Sequence, residues 1–428
     1  MQFQDAAKLS RSRELGQTLH HLNLNRYPHV PNPRGCKKRA SVALIIRVRP
    51  TFPDTATFDT SACGLAARSD QERLNAFFAQ GWVQRGDPEV LFIKRAARKG
   101  DRWTSHIAFP GGGRDPGDKD DLAASIRETR EEVGMDLEAD HCLNVGNLSE
   151  RVVTAWLGKT PLMVLCPFVF LHMRVDTEPL ALQPAEVHSA HWVSLRALTS
   201  PYLNSYIRSD VSQPFGRSDS DFIRTLIRLL FGQVLIKGID LVPTESVYCN
   251  SGADLLPSGP RVSTVASGLL SFLSSARTTW ENPSQQLILW GLTLGIMSDF
   301  LRILPSCDPS KLWAWPTLSH VDHQFSIWLF TLAYRKQKLR EIESSYPAKD
   351  TMIGGPSGPG ELDHTTFTTF QARSRKEVQD SALLEMLGGY YDRARAAVYL
   401  TLLLRIGTGC LLTAWGAREL RNRRSQKL

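Results

Sequence analysis

The sequence predicts an α/β protein, because apolar, β-branched segments alternate with a strongly helical segment along its first half. The strand-like segments are 41–49, 89–95, 162–175 and 191–195, and the helical segment is 120–133. Of the 428 residues, 42% are apolar and 22% are charged, so the chain can bury a sizeable core. This composition excludes wholesale disorder, collagen and a small disulfide scaffold.

Charge and cysteine content narrow the function classes. Lys and Arg number 51 against 43 Asp and Glu, a net charge of +8. This excess suits an anionic substrate or a membrane surface, and by itself it does not indicate nucleic acid. Solubilising termini explain it equally well, since basic residues collect at 37–39 and 418–424. The seven cysteines are widely spaced, without a C-x-x-C pair, so neither a disulfide framework nor a structural zinc site is expected.

The first 100 residues are predicted to form an N-terminal arm, a strand, an insertion and a second strand. Residues 1–40 contain several basic residues and only Asp5 and Glu14 as acids, which fits either a mitochondrial presequence or an ordered N-terminal arm. Residues 51–88, between the first two strands, are polar and indicate an irregular surface insertion.

The second half of the chain contains fewer clear elements. Residues 205–285 mix weak helical signal with Ser, Pro and Gly, and 287–304 predicts an apolar helix that Pro305 stops. A helical extension is expected over 306–349 and a flexible, Gly/Pro/Ser/Thr-rich linker over 350–380.

The stretch from Phe109 to Met135 carries the chemistry, because a glycine-rich loop leads into a helix with clustered acids. Asp118, Asp120 or Asp121 can cap the start of this helix, and Gly134 can end it.

Three carboxylates stack on one face of this helix, because Glu128, Glu131 and Glu132 stand at i, i+3 and i+4. A hard divalent cation such as Mg²⁺ relieves their mutual repulsion, and Arg127 can hold a carboxylate beside them. Taken alone, this spacing fits a solvated acidic helix with salt bridges better than a metal site.

The whole stretch closely resembles the Nudix box, G-x5-E-x7-R-E-U-x-E-E-x-G-U, where U is a bulky apolar residue. Its second half matches at every fixed position: Arg127, Glu128, Glu131, Glu132 and Gly134. The two U positions hold Thr129 and Met135. The first half departs from the pattern, since counting back from Arg127 places Lys119 where Glu is expected. A one-residue expansion with Asp118 in place of that Glu accounts for the difference.

The flanking segments are similar to the coenzyme A pyrophosphatase branch of that family. The matching segments are Leu91–Arg95, His106–Gly112, Asp115–Asp121, Gln183–Leu195 and Leu289–Met297. The resemblance implies an α/β/α sandwich with a mixed sheet over 41–305, with surface insertions at about 51–88 and 205–285.

The resemblance also implies hydrolysis of a pyrophosphate bond in a nucleoside-diphosphate compound, with Mg²⁺ or Mn²⁺ bound by Glu128, Glu131 and Glu132. Catalysis is then assigned to Arg127 with a general base, either Glu131 or Glu186. Substrate binding is assigned to the backbone of Gly111 and Gly112 and to Arg95. Glu186 can equally be an ordinary exposed loop acid, and Arg95 an edge-strand charge.

The branch implies coenzyme A or acyl-CoA as the substrate, giving 3′,5′-ADP and a 4′-phosphopantetheine species. Other substrates within the family are ADP-ribose, NADH, dinucleoside polyphosphates and oxidised nucleotides. A non-catalytic nucleotide-binding or scaffolding module and a membrane-anchored adaptor are alternatives of other classes. No nucleic-acid partner is expected.

The C-terminal region, 381–428, is expected to serve localisation. Its apolar run 396–416 is about as long as one membrane span, although Arg405 near the middle costs roughly 2.5–3.5 kcal/mol on insertion. The run therefore fits either a tail anchor or a helix packed on the protein. A basic tail after such a span is compatible with mitochondrial or peroxisomal membranes, and the last residues, Gln426-Lys-Leu, approach the S-K-L peroxisomal signal.

Overall fold

The computed structural model describes residues 2–51, 69–98, 103–154, 161–175, 177–210, 221–249, 287–305, 307, 314–345 and 389–425. The chain forms two compact units. The first comprises Met1–Ser205 and Gly238–Pro309, and the second comprises Tyr206–Lys237 and Ser310–Leu428. The predicted linker, 350–380, and the segment 250–285 lie outside the described residues.

The elements up to the fifth helix all belong to the first unit. In chain order they are α1 (Gln2–Leu24), β1 (Arg39–Arg49), α2 (Asp70–Phe78), α3 (Gly81–Arg85), β2 (Asp87–Arg95), β3 (Ile107–Ala108), β4 (Gly111–Gly113), α4 (Asp121–Val133), β5 (Cys142–Asn147), β6 (Arg151–Thr154), β7 (Pro161–His172), β8 (Val187–Ser194) and α5 (Leu195–Leu198).

The remaining elements are shared between the units. A short 3₁₀ turn precedes β9 (Asn204–Asp210), α6 (Asp221–Phe231), β10 (Gln233–Asp240), β11 (Pro243–Tyr248), β12 (Ile288–Leu289), α7 (Gly291–Ile303), β13 (Thr317–Leu318), α8 (Val321–Ser345) and α9 (Tyr390–Ser425). Of these, β11, β12 and α7 belong to the first unit, and α6, β13, α8 and α9 to the second.

The first unit is built on a mixed sheet, as predicted. Its strand order is β11-β8-β2-β1-β7-β5, with β3 on β2, β4 on β1 and β6 on β7. The central strands β1 and β7 run parallel, with Val42 opposite Pro167, whereas β2 and β4 pair antiparallel to β1.

Helices cover both faces of this sheet. Alternate β1 residues Ala43 and Ile45 share a core cluster with Val133 of α4, whereas Leu44 and Ile46 point to the opposite face and are also fully buried. The predicted α/β sandwich is therefore confirmed.

The N-terminal arm is an ordered helix in the structure. α1 packs against α2, α3, β2 and β5, and its side chains Leu15, Leu19 and Leu22 are fully buried. This is what the ordered-arm alternative predicts for residues 1–40.

Two helices replace the irregular structure predicted for 51–88. Residues 52–68 lie outside the described residues, but α2 begins with a capping box in which Ser69 and Glu72 satisfy each other's backbone N–H groups. Leu74, Phe77 and Val83 are fully buried, so one face of this mostly polar segment is apolar and belongs to the core.

The helix predicted over 287–304 starts later than expected. Residues 288–289 form β12, paired with Ile239 and Asp240 of β10, and α7 begins only at Gly291. Gly291 has φ +63°, a left-handed conformation that separates the strand from the helix.

The second unit packs α8 against α9. Their shared core contains Ile327, Tyr334, Tyr390 and Ala397, together with Leu318 of β13. Among the described residues, one helix, Tyr390–Arg418, is long and apolar enough to cross a membrane by length and composition.

Candidate functional site

The glycine-rich loop approaches both strand β1 and helix α4 closely. Gly111 adopts φ +146°, and a Cβ there would overlap the carbonyl oxygen of Ser41 and the Cα of Val42 on β1. A Cβ on Gly112 would overlap the carboxylate of Glu128. Glycine at these two positions therefore lets β4 lie directly between β1 and the acids of α4.

Helix α4 begins and ends at defined caps, which fix the positions of its acidic side chains. Asp120 is the N-cap, and its Oδ1 accepts the Ala123 N–H at 2.8 Å. Gly134 ends the helix in the left-handed conformation, with φ +73°. Of the three predicted capping acids, Asp120 is the one that caps.

Arg127 organises the loop and the helix together. Its Nε and Nη2 donate to the two carboxylate oxygens of Asp118 at 2.9 and 3.0 Å, and Nη2 also donates to the Gly113 carbonyl at 3.0 Å. The same guanidinium reaches Glu131 Oε2 at 3.0 Å and Glu128 Oε1 at 3.1 Å.

Asp118 is thus the carboxylate that clamps Arg127. The hydrogen bonds from Arg127 lower the pKa of Asp118, and Asp118 in turn raises the pKa of Arg127. Both groups remain charged at neutral pH. The expanded, Asp-containing half of the box therefore contributes a positioning contact whose partner the sequence pattern did not identify.

Three carboxylates converge beside this loop. One oxygen each of Glu128, Glu132 and Glu186 lies within 4.8 Å of the others. Glu186 precedes β8, and its carbonyl accepts the Ala96 N–H at 2.8 Å, which ties it to the end of β2. The structure brings together two of the acids predicted to bind metal and one of the two predicted bases.

Glu131 stands apart from that trio. Its side chain is 57% exposed and pairs with Arg127, whereas the Glu132 side chain is 1% exposed. Glu132 Oε2 accepts the Gly111 N–H at 2.8 Å.

Burial raises the pKa of Glu132 to about 8, and it also raises that of Glu128. Neighbouring carboxylates add to both shifts. A set of carboxylate oxygens that repel one another in a partly buried site fits a hard divalent cation such as Mg²⁺ or Mn²⁺.

Two arginines border the acids. Arg95 Nη1 lies 3.8 Å from Glu132 Oε1, so the predicted substrate-binding arginine is next to the carboxylates. Arg98 Nη2 lies 2.8 Å from Glu186 Oε1. Arg98 was not anticipated from the sequence, because it matches no motif position and contacts Glu186 only through the fold.

A cavity of about 980 Å³ opens beside the glycine loop. Gly111, Gly112 and Gly113 line it, together with basic and aromatic side chains. The basic residues are Lys37, Lys38, Arg39, Arg95 and Arg114, and the rings are Trp103, His106, Phe109 and Trp290. The ring centroids of His106 and Trp290 are 4.6 Å apart.

This sandwich and its R-E-x-x-E-E helix under a glycine loop define the class of the protein as a pyrophosphohydrolase of the Nudix type. The family model described as NUDIX domain matches residues 79–211. An uncharacterised protein of Schizosaccharomyces pombe is 32% identical over 314 residues, which cover 73% of this chain and 80% of that protein. The chain belongs to the Nudix family.

The chain is also similar to other proteins over shorter stretches or at lower identity. The mitochondrial coenzyme A diphosphatase NUDT8 of Homo sapiens is 40% identical over 57 residues, or 13% of this chain and 24% of that protein. The mouse protein of the same name is 38% identical over 61 residues, or 29% of its length. A solved MutT/nudix family protein from Enterococcus faecalis is 16% identical with a TM-score of 0.23, covering 44% of this chain and 55% of that one. Enzymes of this family generally use divalent metal ions.

Proposed function

We propose that this enzyme hydrolyses coenzyme A or acyl-CoA at the pyrophosphate bond, releasing 3′,5′-ADP and the (acyl-)4′-phosphopantetheine. The observation that supports this substrate is the cavity of about 980 Å³ beside the glycine loop. The local similarity to mitochondrial coenzyme A diphosphatases supports it independently.

The lining of the cavity suits the parts of such a substrate. Coenzyme A carries a 3′-phosphate, an adenine and a diphosphate, so its site needs cations, a flat apolar surface and backbone N–H groups. Arg39 is already held by Asp121 and Glu150 at 2.8 and 2.6 Å, and Arg114 lies 3.4 Å from Asp121. Arg95 faces Glu132. The exposed Lys37 and Lys38 therefore remain as the cations for a terminal phosphate, and Trp103 and Trp290 as surfaces for the adenine.

We propose that Glu128, Glu131 and Glu132 hold the divalent ion, with Glu186 converging on the first and the third. When bound, Mg²⁺ or Mn²⁺ neutralises the diphosphate charge and makes water a better nucleophile at neutral pH. The Gly111 N–H bond to Glu132 keeps the glycine loop against the acids, so a diphosphate in the cavity lies beside them.

The remaining residues position and transfer protons. Arg127 is a positioning residue, since it holds Asp118, Glu128 and Glu131 in one network. Arg95 faces Glu132 from the cavity lining and binds the diphosphate. The proton of the attacking water passes to Glu131 or Glu186, whose side chains are far more exposed than that of Glu132.

A hydrolysis panel with purified protein and Mg²⁺ or Mn²⁺ tests this assignment. It compares coenzyme A, acetyl-CoA, dephospho-coenzyme A, ADP-ribose, NADH and nucleoside triphosphates by kcat/KM. We expect coenzyme A or acetyl-CoA to have the highest value. Much faster turnover of ADP-ribose or a triphosphate would overturn the coenzyme A proposal and leave the family assignment intact.

We further propose that the C-terminal half of α9 attaches the enzyme to a lipid bilayer, mitochondrial or peroxisomal. Side chains between 403 and 415 are largely exposed, among them Leu403, Leu411, Leu412 and Trp415 at 67–72%. The one charge within this apolar stretch, Arg405, is already paired with Asp322 at 2.6 Å and donates to the Leu230 carbonyl at 2.6 Å. This pairing keeps Arg405 on the second unit, and the exposed apolar side chains beyond it contact the bilayer.

A further inference from the structure

A second group of metal-ligating side chains lies in the first unit, outside the carboxylate site. His141 and Cys142 stand at the start of β5, and His172 stands at the end of β7. A ring nitrogen of each histidine and the Cys142 Sγ lie within 4.8 Å of one another. Cys142 and His172 are directly opposite each other in the antiparallel β5–β7 pair.

The geometry orients the two histidines toward each other. Their ring centroids are 5.0 Å apart with the planes at 73°. The Met173 N–H donates to the His141 carbonyl at 2.8 Å, which fixes the two strand ends side by side. His172 Nδ1 lies 3.2 Å from the Arg174 carbonyl oxygen. A carbonyl accepts only, so Nδ1 carries the proton and the lone pair remains on Nε2.

Burial shields this cluster from bulk solvent. Cys142 and His172 are 6% and 2% exposed, and His141 is partly exposed. A metal ion held here takes the place of the Cys142 thiol proton, which is released to solvent when the ion binds.

We infer that His141, Cys142 and His172 bind a Zn²⁺ ion that clips the edge strand β5 to β7. One thiolate and two imidazoles are ligands that zinc prefers, whereas the all-carboxylate site suits harder ions. Tetrahedral zinc places such ligand atoms about 3.3–3.6 Å apart, so small side-chain rotations close the cluster onto the ion. The fourth position is left for water.

The wide separation of the ligands hides this site from sequence patterns. Cys142 and His172 are 30 residues apart in the sequence, and the two meet only because β5 pairs with β7. The expectation that the chain holds no structural zinc rested on the missing C-x-x-C pair, which says nothing about ligands joined across strands.

Cobalt substitution tests the inference with a readout that the carboxylate site cannot produce. Full-length protein is stripped with EDTA and titrated with Co²⁺, and the near-ultraviolet thiolate-to-cobalt charge-transfer band is recorded. We expect one equivalent of this band in the wild type, bleached by Zn²⁺. Cys142→Ala should lose the band, and His172→Gln should lose or greatly weaken it.

Two further variants keep the result interpretable. Cys249→Ala is the matched control, because the Cys249 Sγ donates to the Val187 carbonyl at 3.0 Å and, among the described residues, is part of no group of potential metal ligands. His141→Asn changes a partly exposed ligand, so it should keep the fold, checked by circular dichroism, and weaken Co²⁺ binding at least tenfold. Absence of the band in wild type, or its persistence in Cys142→Ala, would overturn the inference. Magnesium-dependent hydrolysis should be unchanged in folded Cys142→Ala, which separates this site from the proposed function.

Discussion

Glu131 and Glu186 are the two acids available to accept a proton, and their surroundings differ. Glu131 is exposed and paired with Arg127, whereas Glu186 converges with Glu128 and Glu132 and pairs with Arg98. Replacing the base should lower kcat by about 10²–10⁴-fold while the melting temperature stays near that of wild type.

We expect Glu131→Gln to lose most turnover, because it removes both a proposed metal ligand and a proposed base. Glu186→Gln should reduce kcat as well, with a changed pH–rate profile if it is the base. Glu138→Gln is the matched control, since Glu138 pairs only with Arg130 on the surface beyond α4. Wild-type rates for Glu131→Gln on every substrate would refute the catalytic assignment.

Lys37 and Lys38 should recognise the 3′-phosphate of coenzyme A. Removing both ammonium groups in Lys37→Ala/Lys38→Ala should raise KM for coenzyme A about tenfold, equivalent to about 1.4 kcal/mol, with little change in kcat. The KM for dephospho-coenzyme A should barely move, because that compound lacks the 3′-phosphate. Lys336→Ala, an exposed lysine of the second unit, serves as the control. Equal losses on both substrates would contradict the recognition role.

Glu132 makes the stability of the metal-free enzyme depend on pH. Its folded pKa of about 8 is above the ordinary 4.5, so protonation favours the folded state. This contribution is complete below about pH 4.5 and is lost as the pH rises through about 8. In EDTA, the melting temperature should therefore fall between these values, and Mn²⁺ should raise it more at about pH 8 than at about pH 6. Calorimetry on Glu132→Gln should show a smaller dependence on both.

At the residue scale, local spacing predicts only part of the site. The i, i+3, i+4 pattern places Glu128, Glu131 and Glu132 on α4, and α4 forms as expected. Spacing also allows Glu131 to pair with Arg127, four residues earlier, but it does not show that Glu186, more than fifty residues later, reaches Glu128 and Glu132. Those contacts depend on the pairing of β2 with β8, which no local pattern encodes.

At the scale of elements, β4 depends on one glycine. Gly111→Ala places a Cβ against the β1 backbone at a positive φ, so β4 must separate from β1. We expect a loss of about 2–4 kcal/mol in the free energy of unfolding. We also expect lower activity, because the substitution displaces the Gly111 N–H from Glu132, to which it donates in the native protein. Gly113→Ala is the control, because a Cβ there meets nothing within 4 Å. Equal denaturation midpoints for the two variants would contradict this account.

Element predictions succeeded where apolar periodicity was strong and failed where helices were short and polar. β1, β2, β7, β8 and α4 lie where alternation and helical spacing placed them. α2 and α3 were missed because two or three buried side chains suffice to fix them against α1. Residues 243–248 fall within the expected insertion, but as β11 they pair with β8 at the edge of the main sheet. The side chains of β11 are mostly exposed, so its sequence has no apolar alternation that would indicate a strand.

At the scale of the whole molecule, α9 has two parts with different surroundings. Tyr390 and Ala397 are buried against α8, and Arg405 pairs with Asp322, whereas the residues beyond it are exposed. A chain that ends after Thr408 should stay folded and active, and sodium carbonate should extract it from membranes. Full-length protein should resist extraction.

A chain that ends near residue 380 separates anchoring from packing. It lacks Tyr390 and Ala397, so the second unit should lose stability and expose Trp315 and Tyr334. Protease sensitivity of the second unit measures this loss. Complete carbonate extraction of the full-length protein would refute membrane attachment.

The parallel pairing of β1 with β7 has a consequence for synthesis on the ribosome. About 110 residues lie between Arg39–Arg49 and Pro161–His172, and the edge strand β11 and helix α7 come later still. At about 5–20 residues per second, β1 emerges at least several seconds before its parallel partner. The first unit then still needs Gly238–Pro309, after an excursion through the second unit. Until β7 emerges, the edge of β1 that pairs with it stays open in the nascent chain, and we expect the chain to depend on chaperones that bind extended apolar segments.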